Sequence, residues 1–84
     1  MKEQKVYVGV DVAKAFLDVA WEQAFWRVAN DAAGRKALVE RLNQIAGSVQ
    51  VICEASGGYE RGLLHALHEA GIKVSLIQDR QSVV

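Results

Sequence analysis

The chain has 84 residues, 51% hydrophobic and 24% charged, a balance ordinary for a globular domain and too apolar for a disordered one. Ten Lys and Arg against ten Asp and Glu leave no net charge, which excludes attraction of the whole domain to nucleic acid or to an anionic membrane, so that any such contact must be local. A chain this short makes one domain or a piece of one and buries only about two-thirds of its unfolded surface, so its stability is expected to be modest.

The single cysteine, Cys53, has no internal partner and sits in an apolar run, where its simplest role is that of a small hydrophobe in a reducing compartment. No apolar stretch approaches the roughly 20 residues that span a bilayer, and Met1 to Lys5 is followed by a strand pattern instead of a signal-peptide core. A soluble, intracellular protein is expected.

The run Val6-Tyr7-Val8-Gly9-Val10-Asp11 reads as a central strand that ends in a carboxylate. Val12 to Ala15 is a short turn without glycine, and Phe16 to Trp21 resumes a strand pattern. Glu22-Gln23 makes a tight connection to a third strand, Ala24 to Ala29, so that residues 6 to 29 predict an antiparallel meander in which Trp21 and Trp26 pair across the second hairpin.

Asn30-Asp31 is a helix start, because either side chain can accept from free amides of the first turn. The helix runs from Asp31 to about Ala46, with Leu38, Leu42 and Ile45 on its apolar face and Arg35, Glu40, Arg41 and Gln44 turned elsewhere. Gly47-Ser48 ends it. Val49 to Glu54 is nearly continuous in apolar character, as for a strand covered on both faces, and it too ends in an acid. Ala55-Ser56-Gly57-Gly58 is a flexible loop, and Tyr59 to Ala70 a second helix with Tyr59, Leu63, Ala66, Leu67 and Ala70 along one face. Glu60 in its first turn suits the helix dipole. Gly71 stops that helix, Ile72 to Ile77 alternates like a strand near an edge, and Gln78 to Val84 has no clear period.

Right-handed crossovers through the two helices place the fourth strand parallel to and beside the first, and the fifth beyond it. The fold class is therefore α/β, a mixed five-stranded sheet of order 3-2-1-4-5. In open sheets of this kind ligands bind at the carboxyl ends of adjacent parallel strands, and there this order brings Asp11 and Glu54 together. Paired carboxylates suit divalent ions such as Mg²⁺, two of which about 4 Å apart can drive phosphodiester chemistry. The plainer alternative is that each acid ends its strand at the solvent boundary.

The weaker signals each have a plain structural reading. Ser56-Gly57-Gly58 before a helix could present amides to a phosphate, or simply form a glycine turn. Lys14 could touch a phosphate or be an exposed turn lysine. Arg61 and Arg80 could contact backbone phosphates, though isolated arginines carry little information. His65 and His68 have a spacing that can hold a metal, but both point away from the Leu63 and Leu67 face toward solvent. Asp18 reads as a sheet-face acid.

The run Val8-Gly9-Val10-Asp11-Val12-Ala13-Lys14, with Leu17-Asp18-Val19-Ala20 after it, resembles the opening of the DEDD transposases of bacterial insertion sequences, the IS one-ten family. Asn30-Asp31-Ala32-Ala33-Gly34, Glu54-Ala55-Ser56-Gly57-Gly58-Tyr59-Glu60 and Gln78 to Gln81 resemble three further blocks, the glutamate block being the most specific. The likeness runs from about Lys5 to Gln81.

That resemblance implies the amino-terminal part of a RuvC-type, ribonuclease-H-like catalytic domain, with Asp11 and Glu54 as the first two acids of a tetrad and as ligands of Mg²⁺ or Mn²⁺. The other two acids, an Asp-x-x-Asp pair, and the carboxyl-terminal domain with its catalytic serine have no counterpart before Val84. The chain thus looks like a truncated front half, inactive and without retained metal on its own. A departure lies at Gln78-Asp79-Arg80-Gln81, where the family usually reads Asn-Pro-Arg-Gln, and this chain has no proline. The resemblance further implies metal-dependent DNA cleavage and transfer, an element-encoded guide RNA, self-association, and a cytoplasmic location at the nucleoid when DNA is bound. Two other readings stay open: a piece of a sugar-kinase or actin-like ATPase, against which the glycine-free turn Val12 to Ala15 counts, and a non-catalytic module that dimerises through its fifth-strand edge or an exposed apolar surface.

Overall fold

The computed structural model describes residues 4–55 and 57–78. Its elements are β1 (Lys5–Val12), β2 (Phe16–Trp21), β3 (Ala24–Ala29), α1 (Ala32–Asn43), β4 (Ser48–Ala55), α2 (Arg61–Glu69) and β5 (Lys73–Gln78). The strands form one five-stranded sheet in the order β3-β2-β1-β4-β5. β2 pairs antiparallel with both β1 and β3, while β4 pairs parallel with both β1 and β5. Order and directions are those predicted from the sequence pattern.

The period of two along each strand decides what is covered. Val8, Val10 and Val12 of β1, Leu17 and Val19 of β2, and Val51, Cys53 and Ala55 of β4 are buried, and they meet Leu38 and Leu42 of α1 and Leu63 and Leu67 of α2 in one core. The two helices touch each other, and α1 lies against β3 while α2 lies against β5, so both cover the same face. The alternate residues point to a face that no described element covers, where Tyr7 is 56%, Phe25 70% and Ile77 50% exposed. This corrects the expectation that β4 is covered on both faces: Glu54 is exposed and Gln50 and Ile52 are only half-buried. β4 reads as continuously apolar because Ile52 lies on the open side among residues whose partners face the core.

Two boundaries differ from the sequence expectation by more than one residue, each for a local reason. α1 ends at Asn43, short of Ala46, because the amides of Gln44 and Ile45 close tighter turns onto the carbonyls of Arg41 and Leu42. Gly47 then takes φ +103°, and a Cβ there would lie 2.7 Å from the carbonyl oxygen of Gln4. That close approach lets the Ser48 amide donate to the same oxygen at 2.9 Å and start the β1–β4 ladder. α2 begins at Arg61, two residues after Tyr59, since Tyr59 and Glu60 form a turn and Tyr59 is exposed. Trp21 and Trp26 do not face each other directly. Trp21 pairs with Ala24 and Trp26 with Val19, so the indoles are diagonal neighbours on the core face.

Two cations set aside from the apolar face of α1 have structural roles. The Arg41 guanidinium lies 3.7 Å from the centre of the Trp26 ring, which docks α1 on β3. Arg35 reaches back to Asn30. Asp31 caps the helix, its carboxylate accepting from the Gly34 amide at 2.8 Å. At Gly34 the helix start presses on β3: a Cβ would fall 1.9 Å from the Ala29 carbonyl oxygen and 2.7 Å from its carbon. Gly34→Ala must therefore move backbone against backbone, and a loss of about 3 kcal/mol in urea denaturation is expected, at the upper end of ordinary overpacking costs.

Candidate functional site

Asp11 and Glu54 are register partners in the parallel β1–β4 ladder. Neighbouring strands lie about 4.8 Å apart, so the two side chains leave the sheet side by side. Each acid is the penultimate residue of its strand, since β1 continues to Val12 and β4 to Ala55. Both therefore project from the open sheet face instead of off the strand tips, because Val10, Val12, Cys53 and Ala55 take the core positions on either side. The acids line a shallow groove of about 300 Å³ together with Gly9, Ala20, Phe25 and Ile77.

Asp18 belongs to the same groove. It is the antiparallel partner of Asp11, and Arg27 is the partner of Asp18. One row across four strands therefore reads Arg27, Asp18, Asp11, Glu54. Arg27 holds Asp18 with both ends of its fork, Nε to Oδ1 at 2.7 Å and Nη2 to Oδ2 at 3.2 Å, and its guanidinium lies 4.6 Å from the Phe16 ring centre. The hydrogen bond from Arg27 keeps the Asp18 carboxyl below its ordinary range. No ion pair or side-chain hydrogen bond to Asp11 or Glu54 forms among the described residues. The sheet-face reading of Asp18 holds. What the sequence reading missed is Arg27, whose place opposite Asp18 follows once the two-residue hairpin at Glu22-Gln23 sets the register.

The loops beyond the acids gather at the same end of the sheet. Lys14 is exposed in the turn between β1 and β2, Gly57 and Gly58 adopt φ +96° and +82° after β4, and Arg61 is exposed at the start of α2. Ser56 and Arg80, and the Gln78 to Gln81 block beyond its first residue, lie outside the described residues. His65 and His68 are exposed, and His65 lies 3.9 Å from Glu69 on the helix surface, away from the acids. Among the described residues no three His, Cys, Asp or Glu side chains converge well enough to hold a metal.

Asp11 and Glu54 fit a hard divalent ion in chemistry and placement: two adjacent carboxylate donors, exposed, with no protein cation on either among the described residues. They are too few to enclose one. Cys53, next to Glu54 along β4 but on the core face, is fully buried, and its thiol is pushed up to about 11, by burial first and then by the charges of Glu60 and Asp11. It remains a neutral core thiol, in line with the hydrophobic role read from the sequence.

Two tests follow from these groups. The lowered Asp18 carboxyl stabilises the fold above the ordinary carboxylate range, a contribution lost as pH falls through its depressed value. Asp18→Asn should lose less stability than the wild type when urea midpoints are compared between neutral and strongly acid pH. The raised Cys53 thiol works in the opposite direction: stability is full below the ordinary thiol pKa and falls as pH rises from there toward about 11. At neutral pH Cys53 should react with a thiol reagent only at the rate at which the chain unfolds.

No curated protein matches the chain. No helix among the described residues is long and apolar enough to cross a membrane. The family model DEDD_Tnp_IS110, described as a transposase, matches residues 8–83, which takes in both acids, Asp18, Arg27 and both loops beyond the acids. The chain belongs to this DEDD transposase family of IS110 type.

Proposed function

We propose that this chain supplies Asp11 and Glu54 as two of the four acids of a divalent-ion site for DNA strand cleavage and transfer, within a RuvC-type, ribonuclease-H-like catalytic domain. The observation that carries the reading is the register of Asp11 with Glu54 on parallel neighbours β1 and β4, both on the open face. When bound, Mg²⁺ or Mn²⁺ would supply activation of an attacking oxygen and relief of charge on the leaving one. The strands hold the two carboxylates at one fixed spacing, so no side-chain ordering beyond two short rotors precedes binding. Arg27 neutralises Asp18, which lowers the negative charge that a DNA phosphate would meet at one end of the row.

In this reading the Asp-x-x-Asp pair comes from outside these 84 residues, and the chain alone is inactive. DNA is the substrate. Lys14, Gly57, Gly58 and Arg61 flank the site and offer short-range contacts to the phosphate backbone, which a chain with no net charge needs in place of long-range attraction. Guide-RNA binding and self-association belong to the full-length transposase. With two of four donors the chain should bind Mn²⁺ weakly, visible by electron paramagnetic resonance in excess Mn²⁺ though not retained once the excess is removed, and Asp11→Asn or Glu54→Gln should each weaken that binding about tenfold or more, the usual scale for disturbing a metal site. His65→Ala should leave it unchanged. An affinity indifferent to both acid substitutions would overturn the reading.

A further inference from the structure

The block Asn30 to Gly34 adds nothing to the acid pair, its Asp31 being the cap of α1, yet Asn30 sits where three segments meet. Its side-chain amide nitrogen donates to the Ala13 carbonyl at 2.9 Å and to the Tyr59 carbonyl at 3.1 Å. Ala13 follows the last residue of β1, two positions beyond Asp11, and Tyr59 lies in the loop five positions beyond Glu54. The Asn30 side-chain oxygen accepts from Arg35 Nη1 at 2.9 Å, and the Asn30 backbone amide donates to the Ala15 carbonyl at 2.9 Å. The orientation of the amide is chemically forced. Arg35 can only donate, so it must face oxygen, and the two carbonyls can only accept, so they must face the amide nitrogen.

We infer that Asn30 is a positioning residue of the acid pair, a bracket that fixes the spacing of Asp11 and Glu54 by tying together the chain segments that leave their strands. The inference rests on the ion-site reading proposed above. The β1–β4 ladder ends at Val12 and Ala55, one residue past the acids. Beyond that pair β1 turns toward β2 and β4 climbs toward α2, so the last ladder bonds are those most prone to open. Asn30 closes this end by holding both departing segments with one planar group. It acts from β3's end, so it also ties the meander to the site.

Arg35 is the second part of the bracket, and Gly62 makes room for it. A Cβ on Gly62 would lie 2.6 Å from the Arg35 guanidinium carbon and 2.8 Å from Nη1. Any larger residue there displaces the group that orients the Asn30 amide. The glycine of α2 and the arginine of α1 thus serve one contact, although neither touches an acid.

The test is Mn²⁺ affinity of the chain, by electron paramagnetic resonance, read beside its urea midpoint. Asn30→Asp keeps the shape and the acceptor for Arg35 but removes both donors, and should lower the affinity about tenfold, the scale found for residues that orient metal ligands. Gly62→Ala, which leaves Asn30 in place, should weaken binding in the same direction. Ile45→Ala is the control: it packs on the core at the opposite end of β4, and should lower the midpoint with Mn²⁺ affinity unchanged. Wild-type affinity in both Asn30→Asp and Gly62→Ala, with Asp11→Asn still weakening binding, would overturn the bracket and leave the ion site standing. An equal fall in Ile45→Ala would overturn it too, by showing a stability effect. Binding that is absent, or indifferent to Asp11→Asn, would remove the ion site and the bracket with it.

Discussion

The parallel pairing of β1 with β4 is the constraint on which the rest depends. It is a non-local contact, made between segments separated by the whole meander and α1, and its register places Asp11 beside Glu54 and Val10 beside Cys53 in the same ladder. Because successive side chains alternate, the pairing that buries Val8, Val10 and Val12 under the helices also drives Asp11 onto the opposite face. A slip of one residue would bury the acid and expose the valines. The hydrophobic free energy of the covered face, at roughly 25 cal/mol per Å² of apolar area, therefore selects the geometry of the charged one.

The glycines make that pairing possible at its margins. Gly47 allows the chain to pass within a backbone contact of Gln4 and begin the ladder, and Gly34 lets α1 start hard against the end of β3. The helices are then anchored differently. α2 presents Leu63 and Leu67 to the core, whereas α1 adds to Leu38 and Leu42 the stacking of Arg41 on Trp26 and the reach of Arg35 to Asn30. That difference explains why α1, with a weaker apolar stripe, still sits firmly on the sheet.

The strand order was readable because each element announces itself locally: two apolar runs closed by an acid near the strand end, two helices with leucines at helical spacing, and a tight two-residue hairpin. Right-handed crossover does the rest. Less legible was which face each residue takes. Ile52 is apolar and yet lies on the open side, and Tyr59, counted on a helical face, belongs to a turn. Periodicity reports apolar positions, but it does not say how many layers cover a sheet. Arg35 and Arg41 were read only as turned away from the apolar face of the helix, for a related reason: hydrophobic patterning has no term for a guanidinium that stacks on an indole or orients an amide. Asn30 was legible as a helix start only, since the carbonyls it donates to lie in two turns far from it in the chain.

The open face joins two features that a finished soluble surface seldom combines. It exposes Tyr7, Phe25 and Ile77, an apolar patch of the kind that marks an interaction surface, and it carries three carboxylates in one row with a single arginine at the end. Like charges directly opposite on neighbouring strands oppose sheet formation. Arg27 relieves that opposition at Asp18, in a bidentate pair backed by Phe16, and leaves it in place at Asp11 and Glu54. A sheet selected for stability alone would have neutralised the row or made it apolar. That the relief stops one residue short of the acid pair is what sets Asp11 and Glu54 apart from a surface charge pattern, and it is why the ion-binding reading is placed there and not at Asp18.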